Sequence, residues 1–192
     1  MESKEFFLED VKAAADAVRR GGIILYPTDT VWGIGCDATN PDAVAAIYRL
    51  KQREDSKSML ALVDSVDALY RWLKNVPDTA LMLLDVAVDP LTIIYDSPLV
   101  VADNLTAPDG SLGIRVTSDP FCRALCRAAR VPIVSTSANI SGLPAPAVFS
   151  EIAPEIVEGV DYVARSRRSD NQRRRPSGII KVCDNGTLTI IR

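Results

Sequence analysis

Between Asp10 and Arg20 the apolar positions Val11, Ala14, Ala15 and Val18 recur at the spacing of one helix face, and Gly21-Gly22 supplies a C-terminal stop. Ile23 to Tyr26 is a short apolar run broken by Pro27, which predicts a buried strand that delivers a PTDT segment to a loop. Asn40-Pro41 joins a cap to a proline at the first helical position, and Val44, Ile47 and Leu50 carry an apolar face up to the basic Lys51-Gln52-Arg53. Met59 to Val63 reads as a strand. Asp64 reads as the cap of a helix running through Leu69 and Trp72, and Pro77 opens a further helix through Leu81, Leu84 and Val88. Leu91 to Tyr95, Leu112 to Val116 and Pro132 to Thr136 read as strands, Asp119-Pro120 starts a helix, and another spans about Glu151 to Val157. Gly178 to Val182 and Thr187 to Ile191 flank Asp184-Asn185-Gly186, a hairpin signal because Asn-Gly accepts positive φ.

Strands that alternate with helices predict a layered α/β domain, and the terminal hairpin argues for a mixed sheet in place of a purely parallel one. The chain has 192 residues, 47% of them hydrophobic, enough for one domain over 1–192 that buries roughly 70% of its unfolded surface. The net charge of −3 names no partner, so nucleic-acid binding would need a local patch. Arg165 to Pro176, reading RSRRSDNQRRRP, is the one odd stretch, and it is expected to be a mobile basic loop. The N-terminus has no apolar core of a signal sequence and no run fit to cross a bilayer, so the expectation is a cytoplasmic protein with no membrane contact. Cys36, Cys122, Cys126 and Cys183 form no CxxC pair and read as reduced thiols.

The chain contains no histidine. That removes Ser-His-Asp and Cys-His catalysis and histidine-ligated metals, leaving Lys, Arg, Asp, Ser, Thr and backbone groups, a set suited to phosphate chemistry. In YPTDTVWGIG, Tyr26 to Gly35, a broken strand precedes hydroxyls, a carboxylate and two glycines, which could form a recess for a polar ligand or a simple strand-turn-strand connection. Lys51 and Arg53 could converge on a polyphosphate, or merely complement a helix dipole. Ser135-Thr136-Ser137-Ala138-Asn139 gathers short polar groups at a strand exit, where ligands or helix caps are equally at home. Arg115 lies within a strand and needs an anion or solvent; a substrate carboxylate would match its fork. Cys122 and Cys126 read as core thiols, and Trp32 and Trp72 as packing or as adenine-stacking rings.

Taken together, YPTDTVWGIG, KQR and STSANISG resemble, from about Gly22 onward, the YrdC-like family of threonylcarbamoyl-AMP synthases. The resemblance implies a twisted open mixed sheet with helices packed on it and a concave basic face. It also implies formation of a threonine carbamate from L-threonine and bicarbonate, attack on the α-phosphate of ATP with Mg2+ in attendance, and delivery to a tRNA-modifying transferase complex. By position it makes Thr30, Arg115 and Ser135 threonine-binding residues. Lys51, Arg53, Ser137 and Asn139 become the catalytic set around the nucleotide, with Ser111, Ser177 and Arg192 also near ATP.

The chain departs from the family pattern in three places. REDSKSML puts Glu54 and Ser58 where proline and a Pro-Leu pair are usual, PSGIIK leaves Gly178 without a hydroxyl, and Ala145 replaces a serine that contacts ATP. The alternative reading is a paralogue of weak or altered activity that binds RNA or ribosomes, with direct RNA contact through Arg165 to Arg175.

Overall fold

The computed structural model describes residues 3–52, 59–96 and 98–192 of the chain. Its elements are α1 (Lys4–Arg19), β1 (Ile24–Tyr26), β2 (Gly33–Gly35), α2 (Pro41–Leu50), β3 (Leu60–Val63), α3 (Val66–Trp72), α4 (Asp78–Val86), β4 (Leu91–Tyr95), β5 (Leu112–Val116), α5 (Pro120–Ala129), β6 (Ile133–Ser137), α6 (Pro154–Glu158), β7 (Tyr162–Val163), β8 (Gly178–Val182) and β9 (Leu188–Ile190). The strands form one unclosed sheet in the order β7-β1-β2-β6-β3-β5-β4-β8-β9. It is mixed: β1 with β7, β3 with β5 and β4 with β8 run parallel, and the other neighbours run antiparallel. No helix among the described residues is long and apolar enough to cross a membrane.

The first helix begins earlier than the apolar spacing implied, because the Ser3 hydroxyl accepts from Phe6 N at 3.1 Å and caps it. Asp10 is therefore no helix start. It sits mid-helix with no exposed surface, and its carboxylate takes bonds from the Tyr162 hydroxyl (2.6 Å), Arg165 N (2.9 Å) and Ser166 N (2.6 Å). Asn40 caps α2 as expected. The cap of α3 is Ser65, whose hydroxyl accepts from Ala68 N; the Asp64 carboxylate is drawn instead to Arg127 Nε at 2.9 Å. α4 stops at Val86, so Val88 stands in a connection with 98% of its surface exposed. The helix expected over Glu151 to Val157 is split into a single turn at Phe149–Glu151 and α6, since Pro154 has no N–H to continue the ladder. At the terminal hairpin Gly186 takes φ of 82°, and Asn185 Oδ1 accepts from Thr187 N.

The arginine-rich stretch is tied down, contrary to the mobile loop expected. Arg167 Nη1 bonds Asp119 Oδ2 at 2.5 Å and Arg167 Nη2 bonds Thr28 O at 3.0 Å. Arg165 lies over the Phe6 ring at 4.8 Å, and Arg168 lies over Phe149 at 5.1 Å. Arg173 pairs with Glu151, and Arg174 with Asp170. Most of these partners come from distant segments, which a local count of charge does not see.

All four cysteines are free thiols, three of them buried. Burial pushes the Cys126 thiol up to about 12, so it carries no reactive thiolate.

Two predictions follow from the packing. A Cβ on Gly35 would lie 2.2 Å from Val134 O and 2.7 Å from the Tyr26 ring, so Gly35→Ala should lower unfolding free energy by about 1–3 kcal/mol in denaturant titration. Burial by itself raises the Asp10 pKa, but the bonds from Arg165, Ser166 and Tyr162 outweigh it, and the net shift is downward from 3.8. A depressed carboxylate contributes stability above its unfolded pKa and loses it as pH falls through the folded one. Stability measured from about pH 5 to about pH 2 should therefore fall less steeply in Asp10→Asn than in the parent.

Candidate functional site

The turn between β1 and β2 builds one wall of a recess. Thr28 donates its hydroxyl proton to Val31 O at 2.6 Å and accepts from Thr30 N at 2.9 Å. A hydroxyl has one proton, so in the 3.0 Å contact between the two hydroxyls Thr30 is the donor, which turns lone pairs of the Thr30 oxygen outward. The floor comes from strand register: Gly33 pairs with Ser137, Leu60 pairs with Ser135, and Leu62 pairs with Arg115. A Cβ on Gly33 would stand 3.3 Å from Ser135 Oγ and 3.2 Å from a Thr28 methyl, so glycine keeps this floor open.

These groups line a cavity of about 340 Å3, together with Trp32, Met59, Ala145, Pro176, Ser177 and Arg192. Among the described residues its lining holds two arginines, several hydroxyls and no Asp or Glu. Arg115 is 3% exposed, and its Nη2 lies 3.0 Å from Asp29 Oδ1; the other Asp29 oxygen accepts from Thr117 at 3.1 Å. Arg115 Nε has no hydrogen-bond partner, and a buried guanidinium N–H beside a polar cavity calls for an acceptor. Arg192 Nε and Nη2 rest on Ser177 O at 3.2 and 3.0 Å, and Ser177 Oγ shares a 2.8 Å bond with Thr92. Trp32 is buried against Phe149, with ring centroids 4.9 Å apart, and lines the cavity; Trp72 borders a different groove.

The remaining expected residues are placed differently. Lys51 is 1% exposed and does not line the cavity: its ammonium donates to Ser137 O and to Asn139 O (2.6 Å), and its carbonyl accepts from Ser141 N (2.9 Å). Three bonds from one residue thus shape the STSANIS turn. Asn139 turns its Nδ2 to Leu143 O (2.7 Å) and Ile140 O (3.0 Å), leaving Oδ1 buried with no hydrogen bond. Ser111 bonds Asp109 at 2.6 Å, outside the cavity lining, and the Lys181 ammonium on the same carboxylate holds the Asp109 pKa well below its usual range. Arg53, Glu54 and Ser58 lie outside the described residues. Among the described residues no group of three or more acids or cysteines could hold a metal.

The chain matches the Sua5/YciO/YrdC family model, described as "Telomere recombination", over residues 16–192, and it belongs to that family. It is 37% identical over 150 residues to the threonylcarbamoyl-AMP synthase of Escherichia coli K12, covering 74% of this chain and 76% of that one. It is 31% identical over 188 residues to the Vibrio parahaemolyticus threonylcarbamoyl-AMP synthase, covering 96% and 99% of the two chains. Among solved structures, E. coli YciO superposes with a TM-score of 0.82 at 25% identity, covering 96% of this chain and 89% of that one. P. abyssi Sua5 complexed with L-threonine gives 0.79 at 26% identity over 90% of this chain, which spans 50% of that longer protein.

Sequence reasoning noted Asp29 as the carboxylate of the PTDT turn but missed its pairing with Arg115, and it missed the burial of Asp10. A readable signal existed for Asp10, an acid in register with the buried Val11, Ala14 and Ala17 stripe. Lys51→Met should leave the Ser137 and Asn139 carbonyls without their donor. The expected cost is about 1–3 kcal/mol of stability in thermal unfolding, which Lys51→Arg should restore only in part.

Proposed function

We propose that this chain forms threonylcarbamoyl-adenylate and pyrophosphate from ATP, L-threonine and bicarbonate, for use by a tRNA-modifying transferase complex. The observation that carries the reading is the cavity itself. A buried arginine with an unmet N–H faces a ring of hydroxyls, with no Asp or Glu among the described lining residues. Arg115 receives the threonine carboxylate, the anion that fits a guanidinium. Thr30, through its outward lone pairs, and Ser135 receive the amine or hydroxyl protons.

The threonine amine and bicarbonate condense to a carbamate with loss of water. One carbamate oxygen then bonds to the α-phosphorus of ATP as the bond to the pyrophosphate oxygen breaks. The attacking group is already an anion, so no side chain has to remove a proton at that step, in keeping with a chain that has no histidine. The barrier lies in charge on the phosphates, and positioned donors lower it. Ser137, Ser177 and Arg192 are donors in the cavity lining assigned to the nucleotide, and Arg53 and Ser111 are assigned to the same nucleotide by the family motif. Lys51 and Asn139 act through the shape of the turn that presents Ser137. Mg2+ bound with ATP would neutralise charge on its phosphates, and the Ser137 and Ser177 hydroxyls of the lining could support it.

The reaction is tested by measuring pyrophosphate with ATP, Mg2+, threonine and bicarbonate, each omitted in turn. Release should require both threonine and bicarbonate, and threonine-independent release would refute the assignment. Asp29→Asn keeps the shape but removes the charge that orients Arg115. Its KM for threonine should rise about tenfold, equivalent to ~1.4 kcal/mol, with a smaller change in kcat.

A further inference from the structure

α1 and α5 pack on one another, with Phe7 and Phe121 edge to face at 6.1 Å between centroids. Outside that seam runs a groove of about 700 Å3, separate from the substrate cavity. Its floor is apolar, with Leu8, Ala124 and Ala128 prominent, and its rim carries Lys12, Arg123 and Arg127 with no carboxylate among the lining residues. Leu8 is 54% exposed. Arg19 spans one end of the groove, donating to Ala128 O at 2.6 Å and pairing with Asp16. Arg127 is paired with Asp64, whereas the side chains of Lys12 and Arg123 have no ion pair or hydrogen bond among the described residues.

We infer that this groove receives an acidic amphipathic helix from a protein partner. The α5 sequence puts Arg123 and Arg127 one turn apart on its outer face, and α1 puts Leu8 and Lys12 one turn apart on the facing one. Alanines at 124 and 128 let a second helix approach closely. An incoming apolar stripe covers Leu8 and the alanines, and glutamates or aspartates flanking that stripe meet Lys12 and Arg123. The 16 residues of α1 give a track of about 24 Å, the length of four or five helical turns. RNA would satisfy the rim and leave the floor wet, and an uncharged helix would leave the two free cations unmet, so charge and apolarity together select the acidic helix. The surface lies behind the substrate pocket: Ser118 lines the groove, and its neighbour Thr117 holds Asp29. The inference does not depend on the proposed reaction.

The test uses the full chain and a fluorescein-labelled synthetic helix of leucine and glutamate with its leucines on one face, followed by anisotropy. The control is a shuffled peptide of identical composition. The ordered peptide should bind at least tenfold more tightly than the shuffled one. Both Leu8→Glu and Arg123→Glu should weaken it by tenfold or more, with the melting temperature and pyrophosphate release of each variant unchanged. Equal binding of the two peptides, or indifference to Leu8→Glu, overturns the inference. So does tighter binding of poly(U) that Arg123→Glu abolishes and Leu8→Glu spares, which would make the face an RNA contact. Concentration-dependent self-association that blocks the peptide and is lost in both variants would overturn it in favour of a second copy of this chain.

Discussion

The Arg115 guanidinium lies within the sheet at 3% exposure, and Asp29, 3.0 Å away, offsets the cost of burying its charge. Removing one member of such a buried pair strands a charge in a poorly solvated place, at a cost of several kcal/mol. The pair therefore fixes the β1–β2 turn against β5. Because Thr28, Thr30 and Asp29 share that turn, their hydroxyls are set in the same act that positions the arginine. Asp29 takes Thr117 and Arg115 together and leaves Arg115 Nε unmet, so the pair neutralises the cation without using up its donors.

The same device recurs elsewhere in the fold. The Lys51 ammonium bonds the carbonyls of Ser137 and Asn139, converting a helix end into a clamp on the loop after β6. The Asp10 carboxylate gathers Tyr162, Arg165 and Ser166, and Asp119 takes Arg167. Each is a charged side chain within a helix or at its end that satisfies polar groups of a neighbouring loop or short strand. Short loops with few apolar contacts acquire defined shapes in this way, since bonds to a charged partner are stronger than neutral ones. A reaction that relies on positioned donors, with no proton-transferring side chain, needs loops of that kind.

Charge distribution separates the substrate cavity from the α1/α5 groove. The substrate cavity is small and lined by hydroxyls and arginine. The α1/α5 groove is larger, with an apolar floor and a lysine and arginine rim. The arginine-rich stretch from Arg165, the most conspicuous basic segment in the chain, spends five of its six arginines on internal partners: Arg165, Arg167, Arg168, Arg173 and Arg174. The unpaired cations Lys12 and Arg123 lie instead on two helices whose sequences show only ordinary amphipathic patterns.

The sequence by itself determined the alternation of strands and helices, the terminal hairpin and the segments that meet at the cavity. Those follow from periodicity, proline and glycine placement and caps, all of which act over a few residues. Thr30, Ser135 and Ser137 were readable as short polar groups at strand ends and Arg115 as an arginine inside a strand, whereas Ser177 and Arg192 were named by the family motifs alone. What tertiary structure decided is which charge meets which. Asp29 with Arg115, Lys51 with the Ser137 and Asn139 carbonyls, and Glu151 with Arg173 are separated by tens of residues. Nothing in local spacing distinguishes an arginine held by a distant acid from one left in water. That is why the loop expected to move is anchored, and why the lysine expected at the phosphates is found inside the fold.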